Sequence, residues 1–109
     1  YTIENLSNNF IRGWQGHKIE QRWFACMNGS FEISVIEVDD FENPSKDLNI
    51  ETVLVNEFDS KIVHIPAGYA NAVESLEKNS KLISFSTLPL SNVKDDDARY
   101  PADYWKLNG

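Results

Sequence analysis

The sequence predicts an all-β chain, because short apolar runs recur every 8 to 12 residues or so with turn-forming residues between them. Runs of about this length and spacing are typical of a β-sandwich or barrel, and no segment shows the longer periodicity of an ordinary helix. We predict eight strands, near residues 1–5, 9–13, 22–28, 31–38, 50–55, 61–65, 69–75 and 81–87.

Turn residues connect these strands. Asn28-Gly29-Ser30 supplies the glycine that a tight turn needs, so we expect strands 22–28 and 31–38 to pair as a hairpin. The polar stretch 39–48 predicts a surface loop.

The sequence changes character after Leu88. Residues 95–97 are three aspartates, which we expect to be solvated. Tyr100, Tyr104 and Trp105 then return aromatic surface that must be buried somewhere. We therefore expect the tail to dock on the barrel or on a partner subunit.

Length and composition narrow the class of protein. At 109 residues the chain is predicted to be a single domain, residues 1–109. Its net charge of −7 argues against a nucleic-acid partner, because binding phosphate backbones needs a basic face. The single cysteine, Cys26, excludes a disulfide framework and fits a reducing compartment. No apolar run reaches the roughly 18 to 20 residues of a membrane helix, so we expect a soluble, cytoplasmic protein without a membrane partner.

Two polar motifs indicate where function lies. Residues 12–18 gather guanidinium, amide, imidazole and ammonium groups just before an apolar strand. Residues 64–69 form a strand that ends in a Pro-x-Gly turn. At the mouth of a barrel both motifs would lie beside one polar ligand, so we expect the site between them.

The basic residues near the first motif have two interpretations. Arg12, Lys18 and Arg22 form a cluster that suits a phosphate or pyrophosphate. Salt bridges from these residues to Glu20 or Glu74 explain the cluster equally well.

The two histidines do not predict a metal site. His17 can move a proton or can be an ordinary loop histidine, and His64 fits a structural role on its strand. Even with Glu20 added to His17, the three imidazoles and one carboxylate of a metal-dependent barrel are not present. P-loop, HEXXH, GxGxxG and GxSxG signatures are also missing from the sequence. We therefore expect neither a metal nor another cofactor.

Aromatic and amide side chains complete the candidate set. Trp14, Trp23 and Tyr69 can stack on a sugar or base ring, although aromatic residues on strands are usually core. We expect Trp14 to be exposed and to face the ligand, and Trp23 to lie in the core. Three further polar side chains can reach the mouth: Gln15, Asn71 and Glu74.

Together, Arg12-Gly13-x-x-x-His17-Lys18 and Ile65-Pro66-x-Gly68-Tyr69-x-Asn71 resemble the motifs of cupins that act on deoxythymidine-diphosphate (dTDP) sugars. These cupins are the dTDP-4-dehydrorhamnose 3,5-epimerases and the dTDP-4-keto-6-deoxyhexose 3,4-ketoisomerases, which are WxcM-like. The likeness spans about residues 1–105 and includes Asp97-x-Arg99-Tyr100 and Trp105. It implies a jelly-roll subunit, usually a homodimer, that binds a nucleotide-sugar in its barrel.

The resemblance also implies a reaction. A histidine removes the proton next to the 4-keto group, cationic groups stabilise the enolate, and a tyrosine returns the proton. By position, the usual base falls on Gln15, which does not accept a proton from carbon, and the histidine usual after the Pro-x-Gly turn falls on Asn71. The second histidine of the ketoisomerases falls on His17, and Lys18 follows it as in that group.

Two functions follow from this comparison. In the first, the chain is an isomerase with His17 as base and Tyr69, Tyr100 or Tyr104 as acid, Tyr69 being our choice. In the second, Gln15 and Asn71 mark a barrel that binds a nucleotide-sugar or glycan in a polysaccharide-synthesis pathway without catalysing a reaction. A structural cupin without a small ligand is a third interpretation.

Overall fold

A computed structural model describes residues 2–5, 11–59, 61–86, 97–101, 104 and 105, with the backbone alone at 2–5, 11, 12 and 97. The described residues form nine strands: β1 (Thr2–Asn5), β2 (Ile11–His17), β3 (Arg22–Asn28), β4 (Ser30–Glu37), β5 (Glu51–Asn56), β6 (Ile62–Ile65), β7 (Tyr69–Ser75), β8 (Ser80–Ser86) and β9 (Asp97–Arg99). Within this part of the chain no helix forms, so the all-β prediction is confirmed.

The strands form two antiparallel sheets. The smaller sheet has the order β1-β8-β3-β6, and the larger has the order β5-β4-β7-β2-β9. Each of the eight predicted strands corresponds to one of β1 to β8, and β9 was not predicted. This arrangement is the predicted jelly-roll class.

The main core lies between the two sheets. Phe24 of β3 and Leu82 of β8 come from the smaller sheet, and Phe31 and Ile33 of β4 come from the larger one. All four side chains are buried, and alternation along each strand gives the two inner faces their apolar residues. Burial of these apolar side chains is therefore the main interaction that holds the two sheets together.

The predicted hairpin between the third and fourth strands is wrong. Gly29 adopts a φ of 74° and turns the chain as expected. However, β3 pairs with β6 and β8, whereas β4 pairs with β5 and β7. Because both edges of each strand are occupied by other partners, the turn carries the chain from one sheet to the other.

The outer face of the larger sheet is covered by the chain itself. Trp14, Ile36 and Trp105 form a second buried cluster with the two alanines of β7, Ala70 and Ala72. The loop after β4 and the aromatic tail pack on this face.

Hydrogen bonds hold the tail to that loop. The hydroxyls of Tyr100 and Tyr104 donate to the carbonyls of Phe41 and Pro44 at 2.7 and 2.6 Å, respectively. Burial, with smaller contributions from Tyr104 and Asp40, raises the pKa of Tyr100. The tail therefore docks on the barrel, which is one of the two alternatives predicted for it. Asp95 and Asp96 lie outside the described residues.

The outer face of the smaller sheet is different, because it exposes apolar side chains. Ile62 is 65% exposed and Phe85 is 53% exposed. Trp23 lies between His64 and Phe85 in register, half-buried rather than in the core as predicted. Its ring stacks on that of His64, with 5.0 Å between the centroids. In the part of the chain that the structure describes, no helix is long and apolar enough to cross a membrane.

Candidate functional site

The interior between the sheets is polar at one end, where β2, β3, β7 and β8 come together. Pairing places Gln15 opposite Asn71 and His17 opposite Tyr69, while Arg22 of the facing sheet pairs with Ser86. These side chains lie on the same faces as the main core. We call the following set the polar cluster: Gln15, His17, Glu20, Arg22, Tyr69, Asn71 and Ser86.

The local sequence of β2 explains which motif residues point inward. Side chains alternate along a strand, so Gln15 and His17 share one face, and Gly16 and Trp14 share the other. The register of β2 against β7 shifts between Arg12 and Gln15. At Gly13 a Cβ atom would lie 2.6 Å from that of Ala72, so a side chain there would force the two strands apart.

The two predicted motifs meet at the end of β2. Gly68, in the turn between β6 and β7, has a φ of 88° and donates its backbone N–H to the carbonyl of His17 at 2.8 Å. The amide of Asn71 donates to the carbonyl of Gln15 at 3.4 Å. The Pro-x-Gly turn therefore positions the backbone that carries His17.

Glu20 is the central group of the polar cluster. It lies in the connection between β2 and β3 and is only 1% exposed. The Nε of Arg22 donates to its Oε1 at 2.7 Å, and the Ser86 hydroxyl donates to the same oxygen. Its Oε2 lies 3.3 Å from Nδ1 of His17. The carboxylate therefore joins the imidazole and the guanidinium.

The sequence indicated Glu20 as a salt-bridge partner or metal ligand but missed it as the centre of the site. The available signal was the spacing His17-x-x-Glu20-x-Arg22, which places a carboxylate between two basic groups. Nothing in that spacing says that the connection turns inward and buries Glu20.

Burial strengthens the interactions within the polar cluster. His17 is 2% exposed and Arg22 is 5% exposed, so water screens their contacts with Glu20 weakly. Both ring nitrogens of His17 are shielded from solvent. Nη1 of Arg22 also lies 3.4 Å from the side-chain oxygen of Gln15. Arg22 and Glu20 thus form a buried ion pair.

Two of the predicted ligand contacts, Trp14 and Glu74, lie elsewhere. Trp14 is not exposed: it is 1% accessible, and its ring meets that of Trp105 edge to face on the outer side of the larger sheet. Alternation places Glu74 on that same outer face, where it lies opposite Glu32 and does not face the mouth. Burial and then the Glu32 charge raise the pKa of Glu74.

The predicted basic cluster is not one group in space. Lys18 is exposed, and its Nζ lies 5.9 Å from the centre of the Phe41 ring. Arg22, by contrast, is buried in the polar cluster. Arg12 pairs with Val73 through its backbone, and its side chain lies outside the described part of the structure.

Among the tyrosines proposed as acid, Tyr69 lies beside His17. Residues directly opposite on antiparallel strands have Cβ atoms about 4.5 to 5.5 Å apart. Tyr69 is the register partner of His17, and its side chain packs against the main core. Tyr100 and Tyr104 instead bind the loop carbonyls on the outer face.

Metal-ligating groups do not converge within the described residues, where no three His, Cys, Asp or Glu side chains form a cluster that could hold an ion. His64 is exposed on the outer face of the smaller sheet, and its Nε2 lies 2.7 Å from Oε1 of Gln21. Independently of this, the imidazole, phenol and guanidinium of the polar cluster are groups that can act in acid–base chemistry and charge stabilisation.

Compared by sequence, the chain matches no protein-family model and no curated protein. Its structure is similar to that of the RmlC epimerase of Mycobacterium tuberculosis, with a TM-score of 0.77, 16% identity, and coverage of 94% of this chain and 50% of that one. It is also similar to ChmJ, a 3'-monoepimerase from Streptomyces bikiniensis in complex with dTDP-quinovose, with a TM-score of 0.76, 15% identity and the same coverage.

Ketoisomerases are similar as well. For QdtA, a 3,4-ketoisomerase from Thermoanaerobacterium thermosaccharolyticum in complex with TDP, the TM-score is 0.71 at 18% identity, over 95% of this chain and 67% of that one. This chain spans half the length of the RmlC and ChmJ chains. The chain therefore shares the fold of these epimerase and ketoisomerase structures.

Proposed function

We propose that the protein is a sugar-nucleotide epimerase or ketoisomerase that acts on a dTDP-4-keto-6-deoxyhexose. The observation that carries the proposal is the pairing of His17 with Tyr69 on the inner face of the larger sheet. A base and an acid on neighbouring strands suit the removal and return of a proton on one sugar ring. The fold shared with dTDP-sugar enzymes supports the substrate class.

In this mechanism His17 takes the proton from the carbon next to the 4-keto group. The electron pair of the broken C–H bond moves into the carbonyl and forms an enolate. Arg22 is the buried cation of the cluster and would stabilise the negative oxygen. Tyr69 then donates its hydroxyl proton to carbon: to the carbon that lost its proton in an epimerase, or to C4 in a ketoisomerase, where the 3-hydroxyl loses its proton to form the new carbonyl. Proton exchange with solvent returns His17 and Tyr69 to their starting states.

The test is proton NMR of a dTDP-4-keto-6-deoxyhexose in deuterium oxide. The wild-type protein is expected to remove the C3 or C5 proton signal by exchange. His17→Asn should slow this exchange by about 10²- to 10⁴-fold, with affinity for dTDP nearly unchanged. His64→Asn is the matched control, because it makes the same change on the exposed outer face. Equal loss of exchange and affinity in His17→Asn would contradict the role of base.

A binding barrel without catalysis is the second candidate. Two observations favour it: Gln15 lies where the relatives' usual base is expected, and both ring nitrogens of His17 are shielded from solvent. Arg22 is also already balanced by Glu20. For this function the wild-type protein should bind the nucleotide-sugar and broaden its NMR lines without exchanging any proton.

We also propose that the protein is a homodimer that forms through the outer face of its smaller sheet. Ile62, Phe85 and Trp23 give this face exposed apolar surface, and an acidic chain can approach its own copy most readily where charge is low. We propose a cytoplasmic location as well. Cys26 is a free thiol, and free thiols are typical of reducing compartments such as the cytoplasm.

Light scattering after size exclusion tests the dimer. Ile62→Glu should convert a wild-type dimer to a monomer, because a buried charge at the interface is costly. Leu54→Glu is the control, since Leu54 is 60% exposed but lies on the larger sheet. A wild-type monomer, or a dimer that only Leu54→Glu breaks, would contradict the assignment.

A further inference from the structure

Strand β2 is held on its outer side by two segments that also bind each other. They are the loop of residues 39–48 and the tail, of which residues 97–101, 104 and 105 are described. The tail rings contact one another, with 4.7 to 5.6 Å between centroids. We call the two segments together the clasp. Three tail side chains donate hydrogen bonds to loop carbonyls: Tyr100 to Phe41, Tyr104 to Pro44, and Nε1 of Trp105 to Ser45, at 2.7, 2.6 and 2.8 Å.

The loop presents these carbonyls in a defined arrangement. The carboxylate of Asp39 accepts from the backbone N–H and from the hydroxyl of Ser45, six residues further along the chain. The carbonyl of the same serine accepts from Trp105. The clasp is therefore held by specific polar contacts in addition to apolar packing.

The clasp contacts β2 through backbone and side chains. The backbone N–H of Trp14 donates to the carbonyl of Tyr100 at 3.1 Å, and the Tyr100 N–H donates back at 2.9 Å. The Trp14 indole donates to the carbonyl of Trp105 at 3.3 Å. On the loop side, a Cβ atom at Gly16 would lie 2.9 Å from the Phe41 ring. Two residues of β2, Trp14 and Gly16, thus pack directly on the clasp.

The clasp reaches β2 where the pairing of β2 with β7 is irregular. The register of these strands shifts between Arg12 and Gln15, and Trp14 lies within the shift. The two backbone bonds between Trp14 and Tyr100 therefore hold β2 at a point where its ladder to β7 is interrupted.

The residues of β2 that contact the clasp alternate with those of the candidate site. Trp14 and Gly16 face outward, whereas Gln15 and His17 face the polar cluster. Strand β9 of the clasp pairs with β2 from Gln15 to His17. A displacement of β2 would therefore move the imidazole of His17, and a misplacement of about 1 Å can slow a reaction about 10²-fold.

We propose that the clasp positions His17. Tyr100, Tyr104 and Trp105 are positioning residues: from the outer face they hold β2 in place and thereby set the position of the imidazole. The effect on the reaction rests on the proposed isomerase function. The effect on the place of His17 does not, because it follows from the contacts between the clasp and β2.

NMR signals of the His17 ring test its position. The double variant Tyr100→Phe with Tyr104→Phe keeps both rings and removes two of the donors to the loop. In a His64→Gln background His17 is the only histidine, so its ring C–H signals are assigned directly. We expect these signals to shift in the double variant. Thr52→Val is the matched control and should leave them unmoved, because it removes an exposed hydroxyl from β5, at the opposite edge of the larger sheet from β9.

Deuterium exchange into a dTDP-4-keto-6-deoxyhexose tests the effect on the reaction. The double variant should exchange the sugar proton about 10- to 100-fold more slowly than the wild type, with KM nearly unchanged, and Thr52→Val should exchange at the wild-type rate. In a His17→Asn background the two tyrosine substitutions should cause no further slowing, because the group that they position is gone. The same fold-loss with and without His17 would overturn the proposal.

The two readouts separate the failure of each proposal. If the wild-type protein exchanges no sugar proton but the His17 signals shift in the double variant, the isomerase function fails and the role of the clasp stands. Unmoved His17 signals in the folded variant overturn that role. Shifted signals with a wild-type exchange rate overturn it as well, since the clasp would then hold β2 without positioning the base. If the double variant does not fold, the same measurements on Tyr104→Phe alone decide.

Discussion

The two ends of the sandwich interior differ in what they bury, although the same strands build both. On β3, Arg22 and Phe24 are two residues apart and face the same interior. Arg22 meets a carboxylate and an amide oxygen, whereas Phe24 belongs to the apolar core with Phe31 and Leu82. Within β3, Phe24 thus stabilises the fold, whereas Arg22 contributes to the candidate site.

The difference shows why burial alone does not identify core. His17 and Glu20 are as inaccessible as Phe24, but their transfer from water is unfavourable unless each finds a partner. A chain of this size gains little stability from such a cluster compared with apolar side chains of similar volume. The polar end is therefore best explained by function.

The largest expected effect is at the apolar end. Phe24→Ala removes a large side chain that is 1% exposed, and it should lower the free energy of unfolding by about 3 to 5 kcal/mol. Urea denaturation measures the change. Phe58→Ala, at an exposed turn, is the matched control and should cost less than about 0.5 kcal/mol. Similar losses of unfolding free energy at both positions would contradict the assignment of Phe24 to the stabilising core.

Next in size is the conversion of the polar end into core. A double variant, Glu20→Leu with Arg22→Met, replaces the buried ion pair with apolar groups of similar volume. Its free energy of unfolding should equal that of the wild type or exceed it by up to about 4 kcal/mol, while dTDP-sugar binding is lost. Urea denaturation and isothermal titration calorimetry measure the two quantities. A large loss of stability would show that the polar cluster holds the fold.

A smaller effect is expected for the exposed cation. Lys18 lies at the surface over Phe41, so Lys18→Ala should weaken dTDP binding by less than about 1 kcal/mol. Arg22→Ala removes a charge-assisted contact from the buried cluster and should weaken it by about 1 to 3 kcal/mol. Isothermal titration calorimetry of the two folded variants measures both losses of affinity. A larger loss for Lys18→Ala than for Arg22→Ala would place the ligand at the rim.

The smallest effect concerns the loop that covers the outer face. The Ser45 hydroxyl, followed by the Ser45 backbone, lowers the pKa of Asp39. A lowered pKa in the folded chain stabilises the loop above the ordinary aspartate range, and this contribution is lost as pH falls through the folded value. Tryptophan fluorescence should therefore show a small change below about pH 4 that Asp39→Asn lacks. An identical acid transition in the variant would exclude Asp39 as its source.

The positions of the strands along the chain were largely predictable from the sequence, because apolar runs and turns are local signals. Gly29 predicted a turn correctly, but the pairing partners of β3 and β4 depend on distant strands. Trp14 looked ligand-facing because its neighbours are polar, yet alternation from His17 turns it to the opposite face. A register is set by the whole sheet, and a shift of one residue reverses every side chain.

The candidate site was predicted in part. His17, Gln15, Arg22, Tyr69 and Asn71 are brought together as the two motifs indicated. The central role of Glu20 depends on an irregular connection whose path no periodicity encodes. Its burial follows from the closure of two sheets around it.

The measurement that tests the central claim most directly is a backbone ¹H–¹⁵N titration of the protein with dTDP. The polar end is predicted to be the ligand site, so the largest shifts should fall on Gln15, His17 and Tyr69, with the Phe31 signal nearly unmoved. No shift, or shifts confined to the exposed face around Ile62, would contradict the assignment of this end as the site.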